Sequence, residues 1–436
     1  GRIPLDLDVS MLDEVEVRAE RTQVEIRLDK KIYNVGQDIT VKGGNVSDVL
    51  ANIPSIDVDF DGNISLRGNS NVRILINGKP SGLVGLSGPQ GLRSLPSESI
   101  EKVEVVTSPS ARYSAEGTAG ILNIILKKQN LLGFNGNFNV NLGIPRNEGI
   151  NGTLNVRNEK VNLFGTVNVS NSENSGTFFS ETKYTRQDLT IDETNDSDYN
   201  NKNIFFNLGS EYYFDDNTSL TISGFYKKGD DSSFLTNIVN DISRGSISST
   251  NKRLRDETEM DESFEYALDF YKDYDRDGQT LTARISYEES EDDGLEDIED
   301  FATFPLVSES VFEKVSNIDF QKRLLGQIDF IYPIDKETEF EFGYRGNFLE
   351  RETYYDVSFL TGNSFISDPG LSNVFNYKES VNSVYTQFGK KFDKLSALFG
   401  LRYENSRQEI DQRTTNQFEI KKYSDLFPTL NLAYEF

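Results

Sequence analysis

Alternation dominates this chain from residue 131 onward. Phe134, Gly136, Phe138, Val140, Leu142 and Ile144 share one parity, and Asn135, Asn137, Asn139 and Asn141 the other. After a short turn, Ile150, Gly152, Leu154 and Val156 oppose Asn151, Thr153, Asn155 and Arg157, and a third pass sets Val161, Leu163, Val167 and Val169 against Asn162, Thr166, Asn168 and Ser170. Successive strand side chains point to opposite faces, so each strand has one apolar face and one of amides and hydroxyls. Later segments repeat the pattern. Leu281, Ala283, Ile285 and Tyr287 oppose Thr282, Arg284, Ser286 and Glu288, and Leu395, Ala397, Phe399, Leu401 and Tyr403 oppose Ser396, Arg402 and Glu404.

The connections sort into two kinds. Tight ones are expected at Asn158-Glu159-Lys160, Asp215-Asp216-Asn217, Tyr274–Gly278, Pro333–Glu337 and Phe392-Asp393-Lys394. Long, mostly acidic loops are expected at about 172–200, 229–258, 288–318, 352–376 and 408–424. The two kinds alternate strictly, which describes short turns on one rim of a membrane barrel and long loops on the other. Aromatics beside the tight turns (Tyr212, Tyr213, Phe214, Tyr271, Tyr332, Phe392 and Tyr434) predict a girdle at the lipid–water boundary. A soluble sandwich would instead need partners for a dozen apolar faces.

The first 130 residues read differently. An alternating segment runs over Val24–Leu28, and Ser47 is expected to cap a short helix over Asp48–Asn52, stopped by Pro54. Strands are expected at Ile56–Asp59, Asn63–Arg67, Val72–Ile76, Val103–Thr107 and Ile121–Lys127, with a short helix from Pro96-Ser97 to about Lys102. Gly82–Gly91 is glycine-rich, but no Gly-Lys-Ser/Thr follows, so a plain loop is expected rather than a phosphate cradle. The division is a periplasmic N-terminal segment over 1–39, a small α/β domain over 40–130 and strands over 131–436.

Composition narrows the chemistry. There is neither cysteine nor histidine, which removes thiol chemistry and the commonest general base and metal ligand. An enzyme is therefore not expected. No run of 18 apolar residues occurs, so no transmembrane helix is expected. The net charge is −26, which argues against nucleic acid. Residues 1–130 hold 17 acidic and 15 basic side chains, leaving 54 of 71 and 30 of 45 for the rest. Nine acidic residues and no basic one fall between Ser286 and Phe304. That run makes Glu291, Asp292, Asp293 and Asp297 weak candidates for calcium on an external loop, although a solvated loop is the expected reading. Asp273–Gly278 mimics the opening of an EF loop, but Arg284 stands where a bidentate glutamate is needed, so a hairpin turn is expected.

Several motifs resemble those of TonB-dependent outer-membrane receptors. Asp48-Val-Leu-Ala-Asn-Ile-Pro54 is similar to the early plug helix of that family. Ser65-Leu-Arg-Gly68, Val72–Gly78, Ile100–Val106, Pro109-Ser-Ala-Arg-Tyr113 and Gly120–Ile125 are similar to its further plug segments. Thr107-Ser108 replaces the general Arg-Gly and resembles the branch common in Bacteroidetes-type bacteria. The resemblance implies a transmembrane antiparallel β-barrel in the bacterial outer membrane, with a small α/β plug in its lumen. It implies import of a scarce small solute, driven by an inner-membrane energy-coupling protein of the TonB type. Leu12, Asp13, Glu14, Val15, Glu16 and Val17, within the segment Leu12–Ala19, resemble the family's coupling box, an extended strand able to add to a partner sheet. Asn69, Ser70, Asn71, Leu83, Ser87 and Gln90 are the expected solute contacts at the plug apex. Arg157, Arg284, Arg345, Arg402, Glu341 and Glu404 are expected to face the lumen and to ion-pair with the plug. Outer-membrane lipid is an implied partner, and a surface lipoprotein capping the loops is left open. An adhesin whose plug never moves is the alternative function.

Size bears on this reading. About twelve strands are expected here, and twelve close to a radius of roughly 12 Å. A hundred-residue plug has a radius of gyration of about 13 Å, so it needs the family's twenty-two strands, about 22 Å in radius. About ten strands are thus expected after Phe436, the alternative being closure by another chain, and the start at Gly1-Arg2-Ile3-Pro4 without a signal peptide is expected to be processed or trimmed.

Overall fold

A computed structural model describes residues 23–26, 30–35, 45–58, 64–70, 72–76, 92, 97, 100–106, 120–126, 133–276, 278–335 and 337–434. The first part includes, among its described residues, seven strands and one helix: β1 (Gln23–Ile26), β2 (Lys31–Asn34), α1 (Val46–Ala51), β3 (Ile56–Val58), β4 (Ile64–Leu66), β5 (Val72–Ile76), β6 (Ile100–Val106) and β7 (Gly120–Leu126). Five of the strands form one sheet in the order β1-β2-β6-β7-β5, with β5 parallel to β7, and β3 pairs with β4. The apolar side of α1 (Val46, Val49, Leu50) closes a core with Tyr33, Leu66, Val103, Leu122 and Ile124.

The helix starts earlier than its expected cap. Asn45, not Ser47, is the N-cap: its side chain accepts from the amides of Ser47 (2.8 Å) and Asp48 (3.2 Å), while Asp48 accepts from the Asn45 amide at 2.8 Å. This reciprocal capping box satisfies otherwise orphaned amides, which a serine inside the first turn cannot do. The helix expected to reach Lys102 is replaced from Ile100 by β6, whose Ile100, Val103, Val105 and Val106 are buried beside β7. Burial on a central strand outweighs the helix-start signal of Pro96-Ser97.

The second sheet holds twelve long strands in chain order: β8 (Gly133–Asn141), β9 (Asn147–Arg157), β10 (Val161–Tyr184), β11 (Leu189–Asp215), β12 (Thr218–Ser243), β13 (Ser246–Asp273), β14 (Thr280–Phe304), β15 (Val311–Pro333), β16 (Thr338–Thr361), β18 (Asn373–Phe392), β19 (Leu395–Gln412) and β20 (Gln417–Tyr434). The short β17 (Ser364–Ser367) folds back on β16. Every long neighbour pair is antiparallel, and β8 and β20 stand at the two ends of the order. All five expected tight turns are turns. The expected long loops are not loops: residues 172–184, 189–200, 229–243, 246–258, 288–304, 311–318 and most of the other two segments lie within strands. Their polar residues continue the ladder as tall hairpins, because the backbone pairs whether or not lipid flanks it.

Candidate functional site

Parity gives the large sheet two unlike faces. Ile222, Leu268, Ile285, Phe342, Val384, Phe399 and Leu430 are exposed on one face. The opposite face buries polar side chains: Ser263, Glu265, Asp269, Ser286, Asp329, Glu341, Ser383, Gln387, Arg402 and Glu404. Water on both sides would penalise the first face, whereas a bilayer outside removes that penalty and a polar lumen inside still satisfies the second. A membrane barrel puts the exposed apolar face outside, on its convex side, and the more buried polar face inside, on its concave side.

A belt of charge marks where lipid ends. Lys202, Lys228, Glu262, Glu289, Lys322, Glu350 and Lys378 break the continuous apolar run of the convex face on the side of the long hairpins, with single apolar residues such as Met260 and Phe320 beyond them. Lys322 pairs with Glu289 at 3.2 Å and Lys378 with Glu350 at 3.0 Å. Tyr226 donates to Glu262 (2.8 Å) and Tyr287 to Glu289 (3.0 Å) from just inside that level. At the short-turn rim, Tyr212 meets Phe214 edge-on at 5.1 Å, and Arg276 covers the Tyr332 ring at 4.7 Å. Tyr271, whose ladder partner is the buried Ser219, departs from the expected girdle, and so does Tyr213. Tyr213 has the parity of the concave face, where it donates to Glu211 at 2.7 Å under the Arg157 guanidinium.

Among the described residues, several concave charges pair within the wall itself. Arg284 lies 2.5 Å from Glu265 and 3.1 Å from Asp269 on the neighbouring strand. Arg402 lies 2.5 Å from Glu404, donates to Ser383 at 2.6 Å and sits 5.9 Å from the Tyr385 ring centre. Glu341 accepts from Gln387. Cross-strand spacing of about 5 Å brings Arg284 to Asp269 and Gln387 to Glu341, while Arg402 and Glu404 stand two apart on one strand.

Above the charged belt, the same face carries a row of carboxylates that the sequence reading did not assemble. Asp231 is the ladder partner of Glu259, Asp261 that of Asp292, and Asp292 that of Asp319. Lys227 pairs with Asp261 at 2.9 Å, and Arg351 grips Asp319 through Nε at 2.7 and 3.0 Å. Five carboxylates therefore face two cations. Partial desolvation, with the charges of Asp292, Asp231 and Asp261, pushes Glu259 up to about 7. The signal was the odd-numbered run 257, 259, 261 on one strand, legible only once the partner strands are in register.

The expected calcium candidates do not gather in this row. Glu291, Asp293 and Asp297 share the convex parity of β14, and Asp292 alone points to the concave side. Among the described residues no group of three acidic side chains is disposed to hold a metal ion. Of the expected solute contacts, Asn69 and Ser70 are exposed beyond a tight turn in which Arg67 (φ +54°) and Gly68 (φ +79°) are left-handed. The Leu66 and Asn69 backbones bond to each other across that turn at 2.9 and 3.1 Å. Asn71, Leu83, Ser87 and Gln90 lie outside the described residues, as does the coupling segment with Leu12, Asp13, Glu14, Val15, Glu16 and Val17.

Two family models match the chain. Residues 35–121 match the TonB-dependent Receptor Plug Domain, and residues 272–436 match the Outer membrane protein beta-barrel family. Among solved structures, the chain is similar to the siderophore receptor PiuA from Acinetobacter baumannii, with TM-score 0.52 and 14% identity over 94% of this chain and 63% of that one. The unliganded ferric citrate transporter FecA follows, at TM-score 0.49 and 13% identity over 96% and 61%. The chain thus spans less than two thirds of the length of either structure. The two sheets and their matches define an outer-membrane β-barrel protein with a plug domain. Residues 35–121 are thus a TonB-dependent receptor plug and residues 272–436 outer-membrane barrel wall, the two parts of a TonB-dependent outer-membrane receptor.

Proposed function

We propose that the protein imports a scarce small solute across the outer membrane by energy-coupled movement of its plug. The observation that carries this reading is the pairing of a plug-type α/β sheet with a barrel wall whose concave face is polar and already charge-paired. Wall charges that pair with one another limit how much buried charge a shift of the plug leaves stranded. The solute meets the plug near Asn69, Ser70 and Asn71 and the segment with Leu83, Ser87 and Gln90. An inner-membrane partner of the TonB type pulls the strand containing Leu12–Val17 by pairing with its edge.

Uptake in cells expressing the intact protein tests this. Deleting Leu12–Ala19 abolishes accumulation while leaving surface binding intact. Binding and accumulation that are both indifferent to the deletion and to collapse of the proton gradient would instead identify a static adhesin.

A further inference from the structure

A recess of about 230 Å³ opens on the convex face of β12–β15, beside β17. It lies well above the lipid: Asp256 is six residues beyond the belt residue Glu262 on β13, roughly 20 Å along the strand. Two adjoining ladder rows make its floor. In one, Phe234, Asp256, Asp297 and Lys314 are successive partners, and in the other Leu254, Glu299 and Phe312. Phe365 of β17 closes one side. Aromatic rings and carboxylates therefore alternate around one small space.

The chain shows with its own ammonium what this arrangement holds. Lys314 Nζ lies 3.1 Å from Asp297 and 5.2 Å from the Phe365 ring centre, a carboxylate and a π face taken together. Glu299 accepts from Ser310 at 2.6 Å. Asp256, between Phe234 and Asp297, has neither an ion pair nor a hydrogen bond among the described residues. Three carboxylates face Lys314, with Lys252 one step farther toward the hairpin tip on the same face. Arg253 and Arg255 have the other parity and pair there with Asp300 (3.1 Å) and Glu296 (3.6 Å).

We propose that this recess binds an organic cation, an ammonium carried on an apolar body, between Asp256 and the Phe234 and Phe312 rings. Ring quadrupole and carboxylate both favour an ammonium, and neither favours an anion or a neutral polar group. The recess is smaller than the drug-sized pockets of about 300–1,000 Å³, so it takes a headgroup rather than a whole large solute. The site stands on the outer surface, apart from the lumen, and is independent of the import reading.

Calorimetric titration of the intact protein in a nonionic maltoside with benzyltrimethylammonium tests this, with benzyl alcohol as the uncharged control. The expected result is saturable one-to-one binding of the cation alone, weakened about fivefold by Asp256→Asn and by Phe312→Ala and weakened further by added salt. Lys314→Ala should tighten binding by freeing Asp297 and Phe365. Asp256→Asn is isosteric and keeps the test valid if Phe312→Ala disturbs the sheet. Absence of saturable binding, equal binding of benzyl alcohol, or an affinity unmoved by Asp256→Asn would overturn the proposal.

Discussion

Arg284 and Glu265 meet at 2.5 Å across neighbouring strands of the concave wall, and Asp269 holds the other arm of the same guanidinium. All three are largely buried, so the cation is what keeps two carboxylates tolerable there. Arg284→Ala should cost about 3–5 kcal/mol, because it strands buried charge, whereas replacing all three by apolar residues of similar volume should cost far less. Denaturant unfolding in detergent micelles measures both. Equal losses would show that the triad is solvated and contributes little.

Gly343 makes room for a ring. A Cβ there would stand 2.7 Å from the Ile328 carbonyl oxygen and would run into the buried Tyr385 ring, which lies beside Arg402. Gly343→Ala should destabilise by about 1–3 kcal/mol through overpacking. Tyr385→Phe combined with it should not recover the loss, since the backbone clash remains. Thermal unfolding of the two variants distinguishes these outcomes.

Glu259 gives the outer hairpins a pH dependence. Its folded value near 7 lies above the ordinary 4.5. Between those values the folded form keeps a proton that the unfolded chain has released, so this group's contribution to stability falls as pH rises through that window and levels off above it. Glu259→Gln should therefore slow amide exchange of β13 at pH 8 and leave it nearly unchanged at pH 4. Slowing of equal size at both values would contradict the assignment.

In the smaller sheet the sign is opposite. Burial works to raise the Glu104 carboxyl, but Lys30 at 3.0 Å and the Asn123 amide at 2.9 Å outweigh it and hold it below 4.5. The stabilisation is present above 4.5 and is lost as pH falls through the lowered value. Lys30→Ala should cost about 1–3 kcal/mol at pH 7 and progressively less as the pH falls below 4.5, read from exchange protection of β6 and β7.

Local rules exposed much of this fold. Strand parity located the apolar and polar faces of β10, β14 and β19, and the turn dipeptides located all five short connections. Charge composition misled: the acidic run from Glu288 to Asp300 read as a loop, although its residues alternate as a ladder does. The capping residue Asn45 was masked by Ser47, an equally good capper two positions on. The carboxylate row joining Asp231, Glu259, Asp261, Asp292 and Asp319 needs the register of four strands, which no single segment encodes. The partners of Arg284 are missed for the same reason.

The account rests on the convex face meeting lipid while the concave face does not. The absence of cysteine makes this directly measurable, since any introduced cysteine is the only one in the sequence. Single cysteines at Leu268, Ile285 and Phe399 on one face, and at Ser263, Ser286 and Ser383 on the other, can carry a fluorophore into bilayers containing brominated lipids. Strong quenching at the first three positions with little at the second three is the expected result. Equal quenching at paired positions such as Ile285 and Ser286, or none at either, would contradict the membrane-spanning wall.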